Sequence, residues 1–247
     1  MVRSRAAAFD AEGTLHFATL TYNRETRMME VGFGTDADPI AIAEPEAWPC
    51  PSARLEITSL AVLSPERFVV ALASWHNRKK GGEVHIASWL DITRVDGVWQ
   101  GTRLSDIEGM QQAVVLRGPQ GGLYLLANPD HRSENSSPNW RGLEISTQTG
   151  EVVRDLQISS HFDEPIAIDA GDRLYEHLGY FLWRSTPDGA DTVLLGNGLG
   201  GNRPGPANAA EIMGIEVLQW MADGRALIAD RSLDYENWVL REVRPLD

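Results

Sequence analysis

One pattern recurs five times along this chain at nearly even spacing, and it narrows the available folds more than any other feature. An apolar strand, a tight turn carrying Gly, Asp or Pro, and a second apolar strand occur at 6–20, 59–74, 112–128, 166–177 and 216–230. With Leu15, Phe68, Leu123, Leu174 and Ala226 as equivalent positions, the steps are 53, 55, 51 and 52 residues. Self-similarity at such a period is the mark of an architecture built from repeated supersecondary units.

Each unit continues with two more strand-like stretches. In the second they are 83–89 and 98–104, around Asp96-Gly97; in the third, 143–146 and 151–158; in the fourth, 180–184 and 192–195. Asp-Gly and Thr-Gly between apolar runs signal hairpins, because those turns need residues that tolerate positive φ. Long amphipathic helical windows are missing, and 207–213 offers at most one short helical turn. Four antiparallel strands per unit is the pattern of a β-propeller blade. The sequence therefore predicts an all-β fold, a single five-bladed propeller over 1–247 with repeats near 5–55, 56–107, 108–163, 164–210 and 211–247. The last unit ends soon after a third strand at 238–243, so its outer strand is absent or comes from the N-terminal residues.

Composition bounds the partners. The 247 residues carry 22 Lys and Arg against 35 Asp and Glu, a net charge of −13. That excess disfavours nucleic acid and anionic membranes, which select clustered Lys and Arg. The one basic cluster is Arg78-Lys79-Lys80. No apolar run is long enough to span a membrane, and the N-terminal residues do not read as a signal-peptide core. A lone Cys50 excludes an internal disulfide framework and a cysteine-based zinc site. The expected setting is the cytoplasm.

Propeller geometry separates two ends. The turn inside the first hairpin of each unit is short, whereas the connections at the opposite end are long and chemically mixed, as at 22–27, 75–82, 128–141, 159–164, 197–211 and 230–237. Long polar loops on a rigid frame are where function concentrates. Glu56, Glu108, Glu164 and Glu211 each stand just before an innermost strand, a placement that would ring the mouth of the central channel with carboxylates. Several carboxylates in one funnel call for neutralisation by a cation, by protonation or by a cationic ligand, and of these a cation, Ca²⁺ or another divalent ion, is slightly favoured. His76, His131 and His161 are candidate general bases at the same end. His177 falls there too and, with Tyr22, Trp75, Trp140, Tyr180 and Tyr235, makes a candidate substrate-binding set whose flat rings suit a sugar or aromatic ligand. His16 and His85 lie inside strands and read as structural. The glycine-rich stretch 196–206 follows no Rossmann or P-loop template and reads as a flap.

Asp163-Glu164-Pro165, followed by Gly171-Asp172-Arg173-Leu174-Tyr175, resembles the Glu-Gly-Pro and Gly-x-Leu-Tyr opening of the SMP-30/gluconolactonase-like propellers. Glu108-Gly109 with Gly122-Leu123-Tyr124 is a looser echo. The resemblance implies a metal-binding glutamate at the channel mouth and hydrolysis of lactones or related esters. Two features depart from that family: five repeats where it has six blades, and Trp140 where its Pro-Asn-Gly segment would place glycine after Pro138-Asn139.

Three readings stay open. The first is a small-molecule enzyme, metal-assisted, with hydrolase or lyase chemistry at the channel mouth. The others are a non-catalytic sugar-binding propeller and an acidic scaffold for a basic protein partner. Fold alone does not choose among them.

Overall fold

Each repeat builds one sheet, with strands consecutive in the chain as neighbours. The first sheet is β1 (Val2–Phe9), β2 (Leu15–Asn23), β3 (Met28–Gly34) and β4 (Pro39–Ile40). The second is β5 (Arg54–Ser64), β6 (Arg67–Arg78), β7 (Gly82–Val95) and β8 (Val98–Glu108). The third is β9 (Met110–Arg117), β10 (Leu123–Pro129), β11 (Asn139–Ile145) and β12 (Val152–Ser159). The fourth is β13 (Ala167–Ile168), β14 (Leu174–Leu178), β15 (Phe181–Arg184) and β16 (Thr192–Leu195). The fifth holds β17 (Ile215–Trp220), β18 (Ala226–Arg231) and β19 (Trp238–Val243).

The computed structural model describes residues 2–23, 28–34, 39–40, 54–78, 82–129, 139–159, 162, 164–185, 191–221, 224–232 and 237–243. Among them every regular element is a strand. Five antiparallel sheets in succession make this an all-β, five-bladed β-propeller. Among the described residues the fifth sheet has three strands. The N-terminal residues do not complete it: Val2–Phe9 pair with β2 from Thr21 to Leu15 and belong to the first sheet.

Four of the five first hairpins share one hydrogen-bonded frame. Asp10 N–H donates to Thr14 O and Gly13 N–H to Asp10 O. The same two bonds recur as Gly118 to Gly122 O with Gly121 to Gly118 O, as Asp169 to Arg173 O with Asp172 to Asp169 O, and as Met221 to Arg225 O with Gly224 to Met221 O. The fourth residue of each turn has positive φ: 86° at Gly13, 82° at Gly121, 58° at Asp172 and 83° at Gly224. Glycine adopts that conformation freely and aspartate tolerates it, so the turn chemistry fixes where each second strand begins. The second repeat departs: Ser64 pairs with Arg67 across a two-residue turn, with a bulge between Val62 and Ser64.

The chain falls into two compact units. One comprises Met1–Leu116, Leu123–Asn135 and Trp140–Leu156; the other comprises Arg117–Gly122, Ser136–Asn139 and Gln157–Asp247. In the first unit, Leu60, Val62, Phe68, Val70 and Leu72 pack toward the first sheet, where Phe33 stacks on Phe68 at 3.7 Å between centroids. Ala61, Val69 and Ala71 pack the other way, against Trp89, Val115 and Leu125. A strand buried on both faces reads as an unbroken apolar run, as 68–73 does. Each such Val, Leu or Phe contributes about 1.5–3 kcal/mol by leaving water.

Polar bonds fix how the second and third sheets meet. Thr58 Oγ1 donates to Ala113 O, Ser59 Oγ accepts from Val115 N–H, and the Trp89 indole N–H donates to Val114 O at 2.9 Å. Arg67 reaches Asp91 at 2.7 Å and Thr147 O at 3.2 Å. In the second unit, one cluster built from Ala167, Tyr175, Leu182, Ile212, Leu218 and Ile228 joins the fourth and fifth sheets. Tyr175 meets Trp220 edge to face at 5.5 Å.

Candidate functional site

The second unit assembles a polar cluster at the long-loop end of its two sheets. Asp230, next to last in β18, is fully buried. Its Oδ1 accepts the backbone N–H groups of Met213 at 3.1 Å and Gly214 at 2.8 Å. Its Oδ2 accepts from Asn202 Nδ2 at 3.3 Å and lies 2.8 Å from Arg241 Nη2. A buried carboxylate persists only when its lone pairs are so occupied. Asn202 Nδ2 also reaches Arg231 O at 3.0 Å, and the Arg231 side chain pairs with Glu216.

The segment 196–211 carries Asn202 into place. It is a hydrogen-bonded loop. Gly196 N–H donates to Ala207 O, Glu211 N–H to Arg203 O, and Leu199 N–H to the Asn197 side chain. Its glycines are there for space. A Cβ on Gly196 would lie 2.2 Å from Tyr180 O, and one on Gly200 would lie 2.8 Å from the Tyr180 ring. One on Gly201 would lie 2.4 Å from Glu211 Oε2, and Gly198 sits against the Phe181 ring. Residues 200–203 thus touch Tyr180, Glu211 and Asp230 in succession.

His177 borders this cluster. It follows Tyr175 by two residues on β14, so its side chain leaves the strand on the face from which Tyr175 meets Trp220. Burial, offset in part by the Asp230 carboxylate and reinforced by the Arg231 guanidinium, holds its imidazole below the ordinary value. The Nε2 atom is buried and has no hydrogen-bond partner among the described residues. Near neutral pH this is an uncharged imidazole with one ring nitrogen uncommitted. Tyr180 and Leu199, on the segments joined through Gly196 and Gly200, expose 40% and 59% of their surface, giving the polar cluster an apolar border.

Of the residues expected from sequence, His177, Tyr180 and Glu211 come together here. Glu211 is held by Arg203 at 3.2 Å. Glu164 is exposed before β13, and its N–H donates to Glu176 Oε1 at 2.8 Å. Glu56 lies within β5 opposite Ala73, and Glu108 ends β8 opposite Ile86; both are exposed. Among the described residues no three His, Cys, Asp or Glu side chains stand together to hold a metal ion. Trp140 is fully buried, so its indole packs its sheet and has no surface to offer a ligand. Tyr22 lies in β2 opposite Met29, while Trp75 and His76 lie in β6 opposite His85 and Val84. His131, His161 and Tyr235 lie outside the described residues. His16 is buried against Asp10, as a structural histidine should be.

Asp230, Asn202, Arg203, Arg231 and Arg241 were not singled out by the sequence. The available signal was a charged pair, Asp230-Arg231, closing the apolar run 226–229, and an Asn-Arg pair directly after Gly200-Gly201.

No family model matches the chain, the SMP-30/gluconolactonase-like family included, and no curated protein matches it in sequence. Among solved structures it is similar to a protein of unknown function from Dyadobacter fermentans, at 14% identity and a TM-score of 0.50, over 99% of this chain and 83% of that one. It is also similar to a puromycin hydrolase mutant, at 12% identity and a TM-score of 0.47, over 96% of this chain and 36% of the hydrolase. The acylaminoacyl peptidase of Pyrococcus horikoshii matches at 8% identity and a TM-score of 0.38, over 94% of this chain and 43% of the peptidase. At such identities the likeness is one of fold alone.

Proposed function

We propose that this propeller is a small-molecule enzyme of hydrolase or lyase type, with its site at the long-loop end of the fourth and fifth sheets and His177 as proton acceptor. The observation that carries this reading is the His177 imidazole: neutral near pH 7, with Nε2 buried and uncommitted, at the edge of an ordered polar cluster. A general base needs that protonation state at working pH and a nitrogen free to take the proton. The apolar border of Tyr180 and Leu199 suits the body of a small ligand, and the few convergent polar groups suit its orientation.

Binding without chemistry is the second reading, favoured by the Tyr180 ring, which is exposed although it packs beside Gly200 and so offers a surface for stacking. A panel of lactones, carboxylic esters and phosphate esters offered to the purified chain separates the two. The enzyme reading expects turnover that drops about 100-fold or more in His177→Gln, a typical general-base effect. It also expects a rate that falls on the acid side below the ordinary imidazole range. Gln variants of His76, His131 and His161 belong in the same panel. Saturable binding with no turnover of any member establishes the binding reading; full activity in His177→Gln removes His177 from the mechanism.

A further inference from the structure

Three ion pairs surround the His177 site, and in all three the arginine is the more exposed partner. Side-chain exposure is 65% for Arg203 against 22% for Glu211, 42% for Arg231 against 38% for Glu216, and 13% for Arg241 against 1% for Asp230. The three pairs are neutral in sum; Asp230 and Glu211 are turned inward, while Glu216 is about as exposed as Arg231. Asp230 is occupied by two backbone N–H groups, Asn202 and Arg241. Arg203 and Arg231 face water here, whereas the Arg241 guanidinium has its Nε and Nη2 buried.

This orientation runs against the molecule as a whole, which carries a net charge of −13. The long-range field repels anions, so an anion held here must be gripped by local contacts. The Arg231–Glu216 pair is exposed on both sides and contributes little to stability, so Arg231 can exchange Glu216 for another anion at small cost, while Arg203 is 65% exposed and meets Glu211 at its Nη2. A guanidinium takes a carboxylate or phosphate through two parallel N–H bonds, which supplies geometry as well as attraction. Asn202 ties the two together: it is the neighbour of Arg203 and is bonded to Arg231 O. Next to them, Tyr180 and Leu199 present exposed apolar surface on two segments that pack closely through Gly196, Gly198 and Gly200.

We infer that the ligand of this site is an anion with an apolar or aromatic body, its carboxylate or phosphate taken by Arg203 and Arg231 and its body by Tyr180 and Leu199. The inference rests on the small-molecule site proposed above and adds the class of ligand. The test follows the His177 ring resonance by NMR, assigned with His177→Gln, during titration with four probes. These are phenylacetate, its neutral amide, phenyl phosphate and methyl phosphate. Phenylacetate and phenyl phosphate should shift the resonance saturably, and the amide should bind about tenfold more weakly or worse. Arg203→Gln and Arg231→Gln should each weaken both aromatic anions, and Arg203→Lys should recover only part, since it restores charge without the planar fork. Tyr180→Ala should weaken phenyl phosphate and leave methyl phosphate unchanged. If the amide binds as well as the acid, or both arginine variants bind unchanged, the ligand class is wrong while the site stands. If no probe shifts His177 in the folded protein, the site reading falls together with this one.

Discussion

Asp10 and Asp169 hold equivalent places at the head of the first hairpin in the first and fourth repeats, and each organises the turn with one carboxylate. Asp10 accepts Glu12 N–H at 3.0 Å, Thr14 N–H at 2.8 Å and His16 Nε2 at 2.8 Å. Asp169 accepts Gly171 N–H at 2.9 Å, Arg173 N–H at 3.1 Å, Arg173 Nε at 2.7 Å and the Tyr175 hydroxyl at 2.9 Å. The donors stand two, four and six residues on in both cases. Burial alone would raise the Asp10 carboxyl; the His16 contact and the Thr14 and Glu12 N–H groups outweigh it and hold the group below its usual range. Burial and then the Asp169 charge push the Tyr175 phenol well above its usual range, so it stays a hydrogen-bond donor at any ordinary pH. Asp169→Ala strands a buried phenol and two backbone donors. It should cost about 2–3 kcal/mol, read as a lower urea midpoint at unchanged m-value.

At the scale of elements, the segment 196–211 shows glycines serving close packing as well as turns. Gly196, Gly200 and Gly201 lie where neighbouring atoms leave little room for a Cβ, and Gly196 also has a φ of 113°. Gly196→Ala should lower stability by about 2–3 kcal/mol, measured by thermal melting, because the methyl meets the Tyr180 carbonyl and the backbone is strained besides. The strands were more legible than this loop. β19 runs from Trp238 to Val243 as the sequence predicts, and β16 matches at Thr192–Leu195. β8 continues to Glu108 past the expected end at 104, because its outer position lets polar residues such as Ser105 and Asp106 pair with β7. β4 is two residues long and leaves no periodic trace. In the proposed site, His177, Tyr180 and Glu211 stand out in the sequence as candidates by their place in the repeats. Asp230 was not, since its burial depends on N–H groups supplied by Met213 and Gly214 from the preceding connection.

For the molecule as a whole, two shifted groups make acid the weak direction. The folded His177 takes a proton less readily than the unfolded chain does, so stability falls as pH drops through the ordinary imidazole range. Asp10, depressed in the folded state, adds a loss of the same sign once pH enters the carboxylate range. Melting temperature should therefore decline in two stages below neutrality. His177→Gln should abolish the upper stage and leave the lower one, and an unchanged upper stage in that variant would show that another group titrates there.

The shared first-hairpin frame also separates two kinds of freedom. Strand register is set at one end of four sheets by the same pair of backbone bonds. At the other end, the connection from second to third strand varies from residues 179–180 to residues 130–138. Insertion and deletion at that end leave the register-setting bonds untouched. Such a chain can diversify what it meets at one end while preserving how it is assembled at the other, and loop exchange between repeats is the natural way to re-engineer it.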